Sequence, residues 1–141
     1  MHSTRIDLTA KARTRMTGVL NARLADALDL QLQAKQAHWN IKGPNFIGLH
    51  ELFDAVAGRM EEHIDVIAER IVQLGGIAAG TTQTVAKSTA LKAYPADITG
   101  QIEHVTAIRD RLFAFGTSCR AAIEEADGAG DADTADIMTG I

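Results

Sequence analysis

The feature that most constrains this chain is a long, uninterrupted helical stripe near its middle. Between Asn45 and Gly75, apolar residues recur every three or four positions for about 30 residues, which is about 45 Å of helix. They are Leu49, Leu52, Phe53, Val56, Met60, Ile64, Ile67, Ile71 and Leu74. The Gly75-Gly76 pair predicts the end of this helix. A helix this long with one apolar face must pack against other long helices.

Comparable patterns occur on both sides of this stripe. The predicted helices run from about Lys11 to Asn40, from Asn45 or Phe46 to Leu74, from Ala96 to Ala126, and from near Asp131 onward. The breaks between them contain Gly or Pro, which interrupt helices. No stop signal precedes Ile141, so the fourth helix is expected to be cut short there.

These segments predict an all-α fold, a four-helix bundle with a long crossover between the second and third helices. We expect a single domain over residues 1–141, because this length suits one core. Residues 1–10 form an N-terminal arm, residues 77–95 the crossover, with room for one short helix, and residues 131–141 the start of the fourth helix.

Composition excludes several other classes of protein. No apolar run approaches the roughly 20 residues that span a bilayer, so no membrane span is predicted. The first ten residues lack an apolar segment, which predicts no secretory signal. Cys119 is the single cysteine, so no internal disulfide can form, and a reducing compartment is favoured.

A second file of residues lies beside the apolar stripe of the second helix. Its members follow one another at steps of three or four: His50, Asp54, Gly58, Glu61, Asp65 and Glu69. Histidine and carboxylates are the side chains that bind iron, manganese or zinc. Two pairs in the file, His50 with Asp54 and Asp65 with Glu69, have the spacing of a shared metal ion. The alternative is an ordinary solvated face.

Helix geometry keeps these two pairs apart within one chain. Asp54 and Asp65 are three turns apart, about 16 Å along the helix axis. A second, antiparallel copy would place His50 and Asp54 opposite Asp65 and Glu69, and a two-fold axis then creates two equivalent sites. His38 is a further candidate, since an antiparallel first helix ends near His50.

Two motifs that would favour other metal sites are missing. The chain contains no Glu-x-x-His, the motif of the usual di-iron site inside one bundle. The run from His50 to Asp54 lacks the second histidine of the zinc-protease motif His-Glu-x-x-His.

Charge is unevenly distributed around a net value of −4. The basic residues near the start, which could contact phosphates, are Arg5, Lys11, Arg13 and Arg15. The chain is acidic near its end, and we call four residues there the acidic set: Asp127, Asp131, Asp133 and Asp136. Helix capping and solubility are the alternative explanation for the acidic set.

Several runs of residues resemble the Dps family, the DNA-protecting proteins of starved cells, also called mini-ferritins. The runs are Lys35 to Phe46, Leu49-His50-Glu51 with Asp54, Asp65 to Arg70, Gln73 to Gly76, Gly80 to Gln83, Tyr94-Pro95 and Asp131 to Asp136. The resemblance covers nearly the whole chain. It implies a ferritin-like four-helix subunit that assembles into a hollow dodecamer.

The resemblance also implies a function and its residues. The ferroxidase centre would take His38, His50 and Asp54 from one subunit, and Asp65 and Glu69 from its two-fold mate. It would bind two iron ions, oxidise Fe(II) preferably with hydrogen peroxide, and pass ferric product to a mineral in the cavity. Trp39 beside the centre would intercept stray oxidising equivalents, or else simply pack at a helix end. The acidic set would line pores through which Fe(II) enters, and zinc or manganese would compete for the centre.

The alternative within this resemblance is a DNA-compacting nucleoid protein whose metal chemistry is secondary. DNA binding stays open because the basic arm is short and the overall balance is acidic. A helical interaction module with a solvated acidic stripe is a third class. We expect a cytoplasmic homo-oligomer, nucleoid-associated if it binds DNA.

Overall fold

Five helices and no strands make up this protein in a computed structural model that describes all of residues 1–141. The helices are α1 (Ala10–Asn40), α2 (Phe46–Gln73), α3 (Thr82–Ser88), α4 (Gln101–Ala129) and α5 (Ala132–Gly140). Helices α1, α2, α4 and α5 form the bundle, and α3 lies in the crossover. The predicted all-α fold with a long second connection is therefore confirmed. No helix combines the length and the apolar character needed to cross a membrane.

Helices α1 and α2 form an antiparallel pair joined by a five-residue segment, Ile41–Asn45, which we call the corner. Gly43 in the corner has a φ of +120°, a value that L side chains rarely adopt, and Pro44 follows it. A helix cannot continue through this pair of residues. The corner therefore brings the end of α1 against the start of α2.

The crossover is anchored to α1 and α4 by buried polar groups. The Asp26 carboxylate on α1 accepts hydrogen bonds from the Ala90 N–H at 2.8 Å and from the Thr89 hydroxyl at 3.3 Å. On α4, the buried guanidinium of Arg111 donates to the carbonyl oxygens of Lys92 and Ala93. These contacts fix the path of the chain into α4.

Helix α4 differs from its predicted bounds at both ends. It begins at Gln101 rather than Ala96, because the Glu103 carboxylate accepts a hydrogen bond from the Gly100 N–H and caps the helix there. It continues through Gly128 and ends where Gly130 adopts a left-handed φ of +73°. A single glycine costs a helix only about 1 kcal/mol, so Gly128 does not stop it.

The core consists of two clusters of buried apolar side chains. The larger cluster joins α1, α2, α4 and α5. The smaller one includes one residue of the corner, Ile41, and its other members are Ala34, Ala37, Phe53, Ala57 and Ile108. The buried Ile41 thus anchors the corner in a packed end of the bundle, which limits its freedom to move.

Candidate metal centre

The centre begins with two histidine rings that the corner brings together. His38 lies in the last turn of α1 and His50 early in α2. Their rings stack with centroids 3.7 Å apart and planes tilted by 24°. The ring of Phe46, one turn before His50, lies 4.9 Å from the His50 ring on centroids. The chain therefore folds so that the two imidazoles form one unit.

Two reciprocal hydrogen bonds hold this pair. Nδ1 of His38 is 2.9 Å from the carbonyl oxygen of His50, and Nδ1 of His50 is 2.9 Å from the carbonyl oxygen of His38. A carbonyl oxygen only accepts, so both Nδ1 atoms must carry the proton. In the neutral rings, each Nε2 then has a free lone pair. Metal-binding histidines are typically oriented in this way, by a hydrogen bond from the other ring nitrogen.

Asp54 supplies a carboxylate one turn after His50. Its Oδ1 is 2.6 Å from Nζ of Lys35 on α1 and 4.0 Å from Nδ1 of His38. The hydrogen bond from Lys35 is the main cause that lowers the pKa of Asp54 below its ordinary value. Asp54 is therefore ionised at neutral pH, and a metal ion must share it with Lys35 or displace that amine.

Asp65 and Glu69 lie on the same helix but have no partner in the chain. Both are exposed, and neither carboxylate makes a hydrogen bond or an ion pair. Asp65 lines an open groove of about 690 Å³ with Gln31, Gly58 and Glu61. Within one chain, no three His, Cys, Asp or Glu side chains come together closely enough to hold a metal ion.

Trp39 follows His38 directly and is 64% exposed. The Lys35 ammonium lies 5.8 Å from the centroid of its ring system, a cation–π distance. The indole is therefore next to the histidine pair in the chain and accessible to solvent.

The four acidic residues near the end of the chain differ in their surroundings. Asp131 is buried, bonds to the buried Arg70 guanidinium, and accepts from the Thr134 N–H as the cap of α5. Its carboxylate therefore performs the capping role that the sequence offered as an alternative. Asp127, Asp133 and Asp136 are exposed, and Asp133 also approaches Arg70 at 3.3 Å.

The basic residues near the start also divide into two groups. Arg13 donates to the carbonyl oxygens of His2 and Leu74, and Arg15 pairs with Glu125 at 3.2 Å. Arg5 and Lys11 are exposed and make no ion pair. Arg13 and Arg15 thus hold the arm and α1 to the rest of the bundle.

His104 is buried near the start of α4. It is 1% exposed, and its Nδ1 is 2.5 Å from the hydroxyl of Tyr94. Burial lowers its pKa. Ile102 on the same helix is 77% exposed. The first turns of α4 instead face inward through His104, which contacts Tyr94 of the crossover, and through Val105, which packs against the smaller core cluster.

The chain is similar to known proteins in both sequence and fold. The family model of the ferritin-like domain matches residues 18–141. The chain is 48% identical to the DNA protection during starvation protein of Agrobacterium fabrum, over 98% of this chain and 85% of that protein. It is similar to DpsC from Streptomyces coelicolor, with a TM-score of 0.94, 30% identity, and coverage of 99% of this chain and 81% of that one.

The fold is shared more widely still. A Dps protein from Vibrio cholerae, described as a member of a broad superfamily of ferritin-like diiron-carboxylate proteins, has a TM-score of 0.92 at 24% identity, over 99% of this chain and 87% of that one. The four-helix bundle with its long crossover is a ferritin-like domain. Within that class, the chain belongs to the Dps family.

Proposed function

We propose that two copies of this chain bind and oxidise Fe(II) at a shared centre. His38, His50 and Asp54 come from one copy, and Asp65 and Glu69 from its two-fold mate. The observation that carries this proposal is the reciprocal hydrogen bonding of the histidine pair, which leaves both Nε2 atoms free to bind a metal ion. The unpartnered carboxylates of Asp65 and Glu69 are the complementary half.

The ligand set suits a pair of divalent first-row ions. Imidazole and carboxylate bind Fe(II), and zinc and manganese compete because they accept the same ligands. Two Fe(II) ions per centre each lose one electron, and one hydrogen peroxide takes both electrons and two protons to give two waters. Paired electron transfer of this kind releases no hydroxyl radical, which is the protective chemistry.

The surroundings of the centre give further parts of the proposal. Trp39 is exposed beside the histidine pair and is the residue we assign to intercept stray oxidising equivalents. Ferric product would collect as a mineral inside a dodecameric shell of this chain in the cytoplasm. The A. fabrum relative is named for DNA protection during starvation, and removal of Fe(II) and peroxide would protect DNA here too.

We assign Fe(II) entry to the exposed carboxylates of Asp127, Asp133 and Asp136. Three copies around a symmetry axis would concentrate cations at that point. Asp131 is left out because Arg70 already neutralises it in the interior. Replacing Asp133 and Asp136 by Asn should slow mineral formation while small amounts of Fe(II) are still oxidised, as followed by absorbance, and unchanged uptake would reject the assignment.

Direct DNA compaction is the second candidate. It rests on Arg5 in the arm and Lys11 in the first turn of α1, the two basic residues near the start of the chain that are exposed and make no ion pair. Repeated around an oligomer they would contact phosphates at low salt, and such contacts weaken steeply as salt rises. A gel shift at low and physiological salt tests it, and the absence of a shift at low salt would reject it.

The shared centre can be tested by mixing two defective chains. One carries His38→Ala and His50→Ala, and the other carries Asp65→Asn and Glu69→Gln. Each alone should lose peroxide-dependent Fe(II) oxidation. When the two are co-expressed equally, half of the two-fold pairs contain one chain of each kind. Each mixed pair has one intact centre out of two, so about a quarter of the wild-type rate should return.

The controls separate the possible outcomes. Glu61→Gln with Glu62→Gln removes two exposed carboxylates of the same helix and should leave the rate unchanged. A centre built within one chain would give no activity in the mixture, which would contradict the two-copy arrangement. Full activity in the histidine variant alone would contradict the ferroxidase proposal itself. Rates with peroxide and with dioxygen, measured side by side, decide the preferred oxidant.

A further inference from the structure

Resting on the proposed function, we infer that Gln101 is a positioning residue for the His38–His50 pair. It is the first residue of α4 and lies in no metal-binding set described above. Its Oε1 accepts a hydrogen bond from the Asn45 N–H at 2.9 Å. Asn45 closes the corner and precedes the first residue of α2, so this bond holds the start of the helix that carries His50.

The start of α2 lacks the capping that helices usually provide for themselves. Asn45 occupies the N-cap position, but its side chain makes no cap hydrogen bond. In a capping box, a Glu or Gln at the third helical position accepts from the N–H of the cap residue. The third position of α2 is Gly48, which has no side chain. Gln101 supplies that acceptor from another helix.

The backbone of the corner is shaped to receive the Gln101 side chain. A Cβ at Gly43 would lie 2.8 Å from both Cδ and Nε2 of Gln101, closer than real Cβ atoms approach other atoms. Gly43 also has the positive φ of +120° noted above. The side-chain amide of Gln101 therefore packs against the Cα of Gly43, which carries no Cβ. The same amide accepts the hydrogen bond from Asn45, two residues further along the chain.

The helix that carries Gln101 is itself firmly placed. Glu103 caps its first turn through the Gly100 N–H, and His104, on the same face as Gln101, is buried against the Tyr94 hydroxyl. No other hydrogen bond joins α4 to the corner. Gln101 is thus the one polar link from a fixed helix to the segment between the two histidines.

This link bears on metal binding because the histidine pair depends on backbone placement. Each ring is oriented by the main-chain carbonyl of the other histidine, so a shift of α2 against α1 misdirects both Nε2 atoms. Loss of partners that orient metal ligands costs about 10- to 100-fold in affinity. Gln101 acts one step further away, so we expect the lower end of that range, about tenfold.

The test compares three variants by Co(II) titration of the assembled protein, with the visible absorption of the bound ion as readout. Gln101→Met keeps the length of the side chain but has no acceptor oxygen. Gln101→Glu keeps the acceptor. Gln83→Met changes an exposed glutamine on α3 as the matched control. We expect Co(II) affinity to fall about tenfold in Gln101→Met, to be largely restored in Gln101→Glu, and to stay unchanged in Gln83→Met.

A second readout follows the corner without any metal. Amide hydrogen exchange of Asn45 to Leu49 should speed up in Gln101→Met and not in Gln101→Glu or Gln83→Met. Wild-type Co(II) affinity and unchanged exchange in Gln101→Met would overturn the inference while leaving the proposed function intact. If the wild type itself binds no Co(II) through His38 and His50, the proposed function fails, and this inference fails with it.

Discussion

The two halves of the proposed centre lie on the same helix and are built in opposite ways. The histidine half is assembled by folding, since His38 and His50 stack and exchange hydrogen bonds with each other's carbonyl oxygens. The carboxylate half, Asp65 and Glu69, extends into solvent without a partner. Three helical turns separate the halves. Folding of a single chain therefore orders the histidine half, while the carboxylate half stays exposed to solvent.

This difference indicates when the ligand side chains lose their conformational entropy. The histidine rings lose their rotational freedom when the chain folds, so little further ordering is needed when metal binds. The carboxylates keep theirs until a second copy approaches. A lone chain would therefore hold no strong metal site, as the absence of any three-ligand cluster within the chain also indicates.

The largest expected difference between the halves is in stability without metal. His50→Ala removes a ring stack and leaves the carbonyl oxygen of His38 without its partner, which should lower the free energy of unfolding by about 1–3 kcal/mol. Asp65→Asn removes no contact within the chain and should stay within about 0.5 kcal/mol of the wild type. Urea unfolding of the metal-free proteins measures both.

Equal losses in the free energy of unfolding of His50→Ala and Asp65→Asn would contradict the proposed difference between the two halves. A large loss in Asp65→Asn alone would mean that the carboxylate half is structural. Glu61→Gln, an exposed carboxylate in the same groove, serves as the matched control for the change in charge.

The same contrast explains what could be predicted from the sequence. Helix bounds in α1 and α2 follow from apolar periodicity and from Gly and Pro at the corner, and the spacing from Asp54 to Asp65 shows that the halves must be separate. The reciprocal bonds of the histidine pair could not be predicted, because they depend on main-chain carbonyl positions that spacing does not encode. The position of His38 near a helix end made it only a candidate ligand. The family resemblance implied its role in the centre.

The sequence did not predict which polar residues become buried, and three of them are His104, Arg70 and Asp131. Arginine and aspartate are almost never fully buried unless paired, and histidine is intermediate. These three are buried because each has a specific partner: Tyr94 for His104, and each other for Arg70 and Asp131. Such pairs link distant parts of the chain, and a single sequence has no local signal for them.

The second prediction uses pH to test His104, whose partner Tyr94 packs against the core cluster that contains Ala37 and Phe53. Burial holds the pKa of His104 below its ordinary value, with the nearby Glu103 carboxylate opposing the shift. The unfolded chain therefore binds a proton at this residue more readily than the folded one. The stability from a neutral His104 is complete above the ordinary pKa near 6.5 and is lost as pH falls below it.

His104→Gln keeps a hydrogen-bonding side chain for Tyr94 but does not titrate. Its free energy of unfolding should decline less steeply than that of the wild type between pH 7 and 5. Gln83→Met, which changes an exposed and uncharged side chain on α3, is the control and should keep the wild-type slope. If His104→Gln also keeps that slope, the acid sensitivity comes from elsewhere.

The smallest expected effect concerns Lys35, whose amine occupies the Asp54 carboxylate in the histidine half. Partly exposed ion pairs of this kind contribute about 0.2–1 kcal/mol, so removing the amine should tighten Co(II) binding by about threefold. Asp54 stays ionised at neutral pH with or without Lys35, so the gain comes from lost competition and not from a change of protonation. Co(II) titration of Lys35→Met against Lys87→Met, an exposed lysine on α3, measures it. Weaker binding in Lys35→Met would show instead that the amine orients Asp54 for the metal. Folding of one chain would then place the Asp54 carboxylate as firmly as the two histidines of the histidine half.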